Sequence, residues 1–348
     1  MSYFRPNIDA LSGYVPGEQP QAGKFIKLNT NENPYPPPPD VLPAIVEAAA
    51  RLERYPDPTA TAFRIQAGEV LGVEPDWILC GNGSDDILTI LMRAFVGEGE
   101  TMRIGFPSYP LYATLADIQG AVTERVAFHP DWTPPPEFSA SAAKLRLAFL
   151  PNPNSPSGTL LGRTAVAELA ERLPCPLVVD EAYVDFADRD CLDLVRQNDK
   201  VIITRSMSKS YALAGLRFGF AVAQPHIIDR LAAVKDSYNC DALAIAAATA
   251  AIADQAWLAE NRRRVLATRA RLTGEMNSLG FQSPPSQANF VWFTHFARPL
   301  RPLYEQLKRE RILVRYMDFP DWGDGLRISV GTDEQIDALL TVLKPLAA

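Results

Sequence analysis

Residues 204–217 read Thr-Arg-Ser-Met-Ser-Lys-Ser-Tyr-Ala-Leu-Ala-Gly-Leu-Arg. One lysine, Lys209, stands among three hydroxyls, Ser206, Ser208 and Ser210, and Arg217 follows eight residues on. Val201-Ile202-Ile203 before the stretch and Phe218-Gly219-Phe220-Ala221-Val222 after it are β-type runs. The lysine therefore falls in a loop just past one strand and ahead of another. Hydroxyls and a guanidinium hold phosphate through charge-assisted hydrogen bonds, and an amine among them can condense with an aldehyde. The pattern suits a phosphorylated aldehyde, although a polar loop with a solvated lysine reads the same way in isolation.

Two upstream segments give it partners. Leu177-Val178-Val179-Asp180 is an apolar run ending in a carboxylate, with Tyr183 three residues on. A carboxylate at the end of a buried strand is costly unless it meets a cation, though an isolated aspartate more often caps a helix or ends a strand. Gly81-Asn82-Gly83-Ser84-Asp85-Asp86 precedes the helical pattern Ile87-Leu88-Ile90-Leu91-Ala94-Phe95. N–H groups at such a helix start attract phosphate, but a simple serine cap has the same signature.

In order and spacing these motifs resemble the fold-type I enzymes that use pyridoxal 5′-phosphate (PLP), in particular the class I/II aminotransferases. The resemblance implies that Lys209 holds PLP covalently, that Asp180 faces its protonated pyridine nitrogen, and that the Tyr183 phenol bonds the ring O3′. Gly83, Ser84 and Asp85 would form the phosphate cup together with Ser206, Ser208 and Arg217. There the backbone N–H groups of the loop would bind, while the aspartate carboxylates cap the first turn or face away. Phe106-Pro107-Ser108-Tyr109-Pro110 matches the segment whose aromatic ring stacks on the cofactor, which points to Tyr109. Arg54-Tyr55-Pro56-Asp57-Pro58 resembles the segment whose tyrosine, here Tyr55, reaches the phosphate of the neighbouring subunit, so a homodimer with shared sites is implied. Asn152-Pro153-Asn154-Ser155-Pro156-Ser157-Gly158 departs from the family pattern. Ser155 stands where the family has its O3′-binding asparagine, so either Ser155 or Asn154 makes that contact.

Lys27-Leu28-Asn29-Thr30-Asn31-Glu32-Asn33-Pro34-Tyr35-Pro36, Val314-Arg315-Tyr316-Met317 and Leu326-Arg327-Ile328-Ser329-Val330-Gly331-Thr332 are similar to the histidinol-phosphate aminotransferase branch. The implied reaction converts histidinol phosphate and 2-oxoglutarate to imidazole acetol phosphate and glutamate. Tyr14, Asn33, Arg315 and Arg327 fall on the substrate side. Guanidinium groups suit a carboxylate or a phosphate ester. A broad aromatic aminotransferase and a threonine-phosphate decarboxylase share the cofactor motifs and stay open as alternatives. PLP-binding transcription regulators carry the fold behind a DNA-binding domain, for which motifs starting within the first 30 residues leave no room.

Composition fits. A chain of 348 residues, 47% hydrophobic, is long enough for a large core. A net charge of −7 argues against a nucleic-acid surface. Cys80, Cys175, Cys191 and Cys240 lack Cys-x-x-Cys spacing, so neither a metal site nor a disulfide framework is suggested, and reduced cytoplasmic thiols are expected. The opening residues do not read as a signal peptide. The apolar run Ala242–Ala253 falls short of the ~20 residues that cross a bilayer, so no membrane association is expected. His129, His226 and His295 lie outside every motif, which leaves Lys209 as the general base and acid.

The first 28 residues read as an extended arm. Val41 to Leu52 is the first helical pattern. Strand patterns at Trp77–Cys80, Thr101–Ile104, Leu145–Leu150, Leu177–Asp180, Val201–Thr204 and Phe218–Ala223 then alternate with helical ones, as in an α/β sheet covered on both faces. The resemblance implies seven mostly parallel strands in a large PLP-binding domain, residues 29–240. Residues 241–348 would supply a long linking helix and a smaller α+β domain, with strands Asn289–Phe293 and Leu326–Val330 and a helix from Asp333 to Leu343. The arginines at 262–264, 269 and 271 read as a solvated helix face.

Overall fold

A computed structural model describes residues 2–13, 17–20 and 23–347. Eleven strands are described: β1 Ile26–Leu28, β2 Ile78–Gly81, β3 Thr101–Phe106, β4 Val122–Ala127, β5 Leu145–Pro151, β6 Leu177–Asp180, β7 Val201–Ser206, β8 Gly219–Val222, β9 Phe290–Phe293, β10 Ile312–Phe319 and β11 Gly323–Ser329. Seven form one sheet in the order β2-β8-β7-β6-β5-β3-β4. In it β8 runs antiparallel to both neighbours, and the remaining pairs are parallel.

The central strands are apolar throughout because both faces are covered. Side chains alternate across a strand, so Leu177, Val179, Val201 and Ile203 enter one core while Val178 and Ile202 enter the other. The first core is closed by helices Thr61–Leu71, Arg163–Arg172 and Ala242–Ala253. The second is closed by Ser84–Phe95, Leu111–Gln119 and Pro225–Ala232. Parallel register sets Pro151 of β5 beside Asp180 of β6, and Asp180 beside Thr204 of β7. The carboxyl ends of three strands thus open onto one place, where ligands bind in such sheets.

Differences from the sequence reading have local causes. Strand β4, Val-Thr-Glu-Arg-Val-Ala, pairs only with β3 among the described residues and has three polar residues in succession, so its apolar signal is weak. The last three residues of the expected arm form β1, paired in parallel with β10. With β11 and β9 they complete a four-stranded sheet over a separate core that includes Leu28, Leu272, Phe293, Leu326 and Leu339. The linking helix is two helices, Ala242–Ala253 and Gln255–Ser278, bent by 78°. The break falls at Asp254, whose carboxylate accepts the Trp257 N–H at 2.9 Å and starts a new helix. Of the arginines that follow, Arg263 and Arg264 lie exposed as expected, Arg264 against the Tyr35 ring at 3.6 Å, whereas Arg262 and Arg269 are half-buried and donate to backbone carbonyls, Arg262 to Asp185 and Ala187 and Arg269 to Ala288. Among the described residues no single helix is long and apolar enough to cross a membrane.

Candidate active site

The loop after β7 turns back on itself, with the Met207 N–H donating to the Phe218 carbonyl and the Leu213 N–H to the Met207 carbonyl. Asn33 Nδ2 donates to the carbonyls of Lys209 and Ser210 at 3.0 and 3.1 Å, which pins the loop. Asn33 therefore supports Lys209 from behind and is not among the residues lining the pocket, against its expected place on the substrate side. Lys209 projects into that pocket, where Nζ donates to the Thr30 carbonyl at 3.0 Å. Burial, aided by the Arg327 charge, lowers the amine to a pKa of about 8.

Asp180, at the end of β6, is buried. Its Oδ2 accepts the Tyr112 hydroxyl at 2.6 Å, and Oδ1 accepts Thr204 Oγ1 and the Ala182 N–H, each at 3.2 Å. Burial raises its pKa, these three bonds oppose the rise, and Asp85 adds to it. Asp180 forms no ion pair among the described residues. The Tyr183 hydroxyl accepts Asn31 Nδ2 at 3.0 Å, and Asn31 Oδ1 accepts Ser329 Oγ at 3.0 Å, which ties the phenol to β11.

The turn before helix Ser84–Phe95 holds Gly83 at φ +84, and a Cβ there would lie 2.6 Å from Arg217 Nη2. A Cβ on Gly219 would lie 2.4 Å from the Ser84 nitrogen, so only glycine lets β8 pass this helix start. Arg217 reaches Asp85 Oδ2 at 3.2 Å and Ser208 Oγ at 3.3 Å. Ser84, Asp85, Ser206, Ser208 and Arg217 all line the pocket. The two aspartates differ. Asp86 folds back to accept the Asn82 N–H and Asn239 Nδ2, whereas the Asp85 carboxylate meets Arg217 and, at 3.4 Å, the Tyr109 hydroxyl.

Tyr109, Asp180 and Tyr183 line the same pocket, as do Arg315 and Arg327 from the smaller sheet. The two arginines are direct partners across β10 and β11. Arg327 also donates to Ser155 Oγ at 3.0 Å and to the Asn29 carbonyl at 3.1 Å. Ser155 thus opens onto the pocket, while Asn154 turns inside the loop, where Nδ2 donates to Ser157 Oγ and the Pro107 carbonyl. Tyr55 is 82% exposed, stacks on Tyr238 at 4.5 Å and lies off this pocket. Tyr14 lies outside the described residues.

Four contributors escaped the sequence reading: Tyr112, Thr204, Thr30 and Asn31. Thr204 was legible in principle as the parallel-strand neighbour of Asp180. Tyr112 lies one helical turn beyond Tyr109, and that i, i+3 spacing was its signal. Beside Asp180, the buried Glu181 accepts Arg205 at 2.9–3.0 Å and the Cys191 N–H at 2.6 Å, clamping β6 to β7.

A sheet of this order, with a buried amine after β7 and a buried acid at the end of β6, is the plan of one enzyme class. The family described as aminotransferase class I and II matches residues 23–343. The chain belongs to that family. It is 57% identical over 343 residues to histidinol-phosphate aminotransferase of Rhodopirellula baltica, covering 98% of this chain and 95% of that one. It is 45% identical over 351 residues to the Citrifermentans bemidjiense protein of the same name, covering 99% of each. The crystal structure of histidinol-phosphate aminotransferase from Sinorhizobium meliloti in complex with pyridoxal-5′-phosphate superposes with a TM-score of 0.91 at 27% identity, covering 99% of both chains. Aspartate aminotransferase of Thermus thermophilus, at 20% identity over 100% of this chain and 99% of that one, shares the fold with a TM-score of 0.83.

Proposed function

We propose that this aminotransferase takes the amino group of histidinol phosphate and passes it to 2-oxoglutarate, leaving imidazole acetol phosphate and glutamate, with PLP as cofactor. The observation that carries the choice of donor is the Arg315–Arg327 pair on adjacent strands, both lining the Lys209 pocket. Like charges directly opposite each other repel, and a phosphate dianion between them relieves that repulsion where a single carboxylate does so less.

The residues present fit PLP. Asp180 is a buried carboxylate with no cationic partner and the Ser108 hydroxyl is buried with no hydrogen-bond partner, both among the described residues, and Gly83 and Gly219 leave a helix start bare beside Arg217. Ser84, Asp85, Ser206, Ser208 and Arg217 would hold the phosphate, Tyr109 would cover the ring, Asp180 would face its nitrogen, and Tyr183 with Ser155 would face O3′. When bound, the cofactor offers an aldehyde to an amine and an electron sink for charge developing at the donor Cα. Lys209 is the residue that would bond the aldehyde, and its free amine would take the proton from the donor Cα as base and deliver it, as acid, to the carbon that receives it. Arg327 and Arg315 fix the anionic end of the donor, so that this proton lies within reach of Nζ.

Tyr55 is offered to a second copy of the chain, which makes the enzyme a homodimer with shared sites. Exposed Leu42, Val46 and Leu52 and the Tyr55–Tyr238 stack supply an apolar face for it. Four buried free thiols support a cytoplasmic setting. Residues 29–240 and 241–348 serve as the large and small domains, with β1 lent to the small one.

Purified protein supplied with PLP and 2-oxoglutarate should release glutamate from histidinol phosphate at least tenfold more efficiently, as kcat/KM, than from phenylalanine or tyrosine. It should release no CO₂ from threonine phosphate. Equal use of the aromatic donors would overturn the phosphate reading.

A further inference from the structure

Tyr112 belongs to none of the motifs that mark the site, yet it joins two groups the chemistry needs. It is fully buried in the first turn of helix Leu111–Gln119, with its ring parallel to Phe149 at 4.8 Å. Its edge meets the Tyr109 ring at 5.5 Å and 88°. Its hydroxyl donates to Asp180 Oδ2 at 2.6 Å, the shortest of the three bonds that carboxylate accepts.

A buried phenol with one partner has its hydroxyl direction fixed by packing. Phe149 and Tyr109 leave the Tyr112 ring no room to turn, so the hydroxyl stays aimed at one carboxylate oxygen. A hydrogen bond to the ionised form of an acid favours that form. Burial and the Asp85 carboxylate work against ionisation of Asp180. The bonds from Thr204 and the Ala182 N–H are longer and share Oδ1.

We propose that Tyr112 is a positioning residue which holds Asp180 ionised and oriented toward the cofactor ring nitrogen, while its ring edge sets the plane of Tyr109. The inference rests on the reading of the site as a PLP site. It assigns to the segment after Tyr109 a role in tuning the acid, besides covering the ring.

The test compares PLP with its carbocyclic analogue, in which CH replaces the ring nitrogen, using binding rather than turnover as the readout. Tyr112→Phe keeps both ring contacts and removes only the hydroxyl. Equilibrium binding of PLP should weaken roughly tenfold or more, the loss expected for one charge-assisted hydrogen bond. Binding of the analogue, which gives Asp180 no cation to face, should change less than twofold. The pH below which PLP is released should rise, because the variant's Asp180 takes up a proton more readily. As a variant that preserves shape, Tyr112→3-fluorotyrosine offers a more acidic donor and should move the release pH downward. Equal losses for PLP and analogue, or a release pH unmoved in both variants, would reduce Tyr112 to a packing residue and overturn the proposal. Failure of the wild-type protein to bind PLP would instead overturn the reading of the site itself.

Discussion

Lys209 shows how a single side chain acquires its chemistry from its surroundings. An exposed lysine keeps its proton to about pH 10.4. Burial, with Arg327 and Arg217 nearby, lowers this amine to about 8, against the pull of Glu32 and Asp85. At pH 7 about a tenth of the amine is then free base, about two hundred times more than for an exposed lysine. Only the free base attacks an aldehyde, so formation of the borohydride-fixable PLP adduct should speed up about tenfold from pH 6 to 7 and level off above pH 8. Stopped-flow mixing of the PLP-free protein with PLP measures this, and a rate flat from pH 6 to 9 would contradict the lowered pKa. Arg327→Met removes a neighbouring positive charge and should shift the midpoint upward. Lys209→Ala should yield no fixable adduct at all. At this scale, Lys209, Asp180, Tyr183 and Arg217 were legible because their chemistry is rare in apolar surroundings or clustered in loops. Thr30 was not, because it contributes a backbone carbonyl that every residue carries, and Tyr112 was not, because an inward aromatic on a helix usually means core.

In the proposed function the β10–β11 hairpin carries the choice of donor. Its antiparallel register makes Arg315 and Arg327 direct neighbours across the two strands. Arg327 is also held by Ser155 Oγ and the Asn29 carbonyl, so its guanidinium is aimed whichever donor arrives. Arg327→Ala should therefore lower kcat/KM for every donor, whereas Arg315→Ala should lower it about tenfold to a hundredfold for histidinol phosphate and much less for phenylalanine or glutamate. Steady-state assays on the three donors decide this, and equal losses in Arg315→Ala would remove its phosphate role. The element itself was only half legible. Leu326–Val330 alternates clearly, but β10 runs Ile-Leu-Val-Arg-Tyr-Met-Asp-Phe, apolar on both faces at first and half-exposed later. Strands β1 and β4 escaped for a related reason: three residues, or a polar edge, bury too little for the sequence to record.

At the scale of the whole molecule, the position of Tyr55 away from its own chain's pocket makes shared sites testable. A Tyr55 variant that disables its site, mixed with Lys209→Ala, should recover roughly a quarter of wild-type activity once subunits exchange, since half the dimers then hold one complete site. No gain over the unmixed parents, with exchange verified by mass, would return Tyr55 to its own subunit. The large sheet, β4 apart, was legible because its central strands are largely apolar runs; the second sheet was less so, since it draws on widely separated segments of the chain. That last feature bears on how the protein is made. Strand β1 leaves the ribosome before every strand of the large sheet, and its neighbour β10 only after all of them. The large sheet, whose strands all lie between Ile78 and Val222, has by then been synthesised, while the strand that leads to Thr30 waits unpaired. The seat of the lysine is thus completed only after β10 has emerged, when pairing Ile26 with Ile312 closes a long loop at an entropic cost.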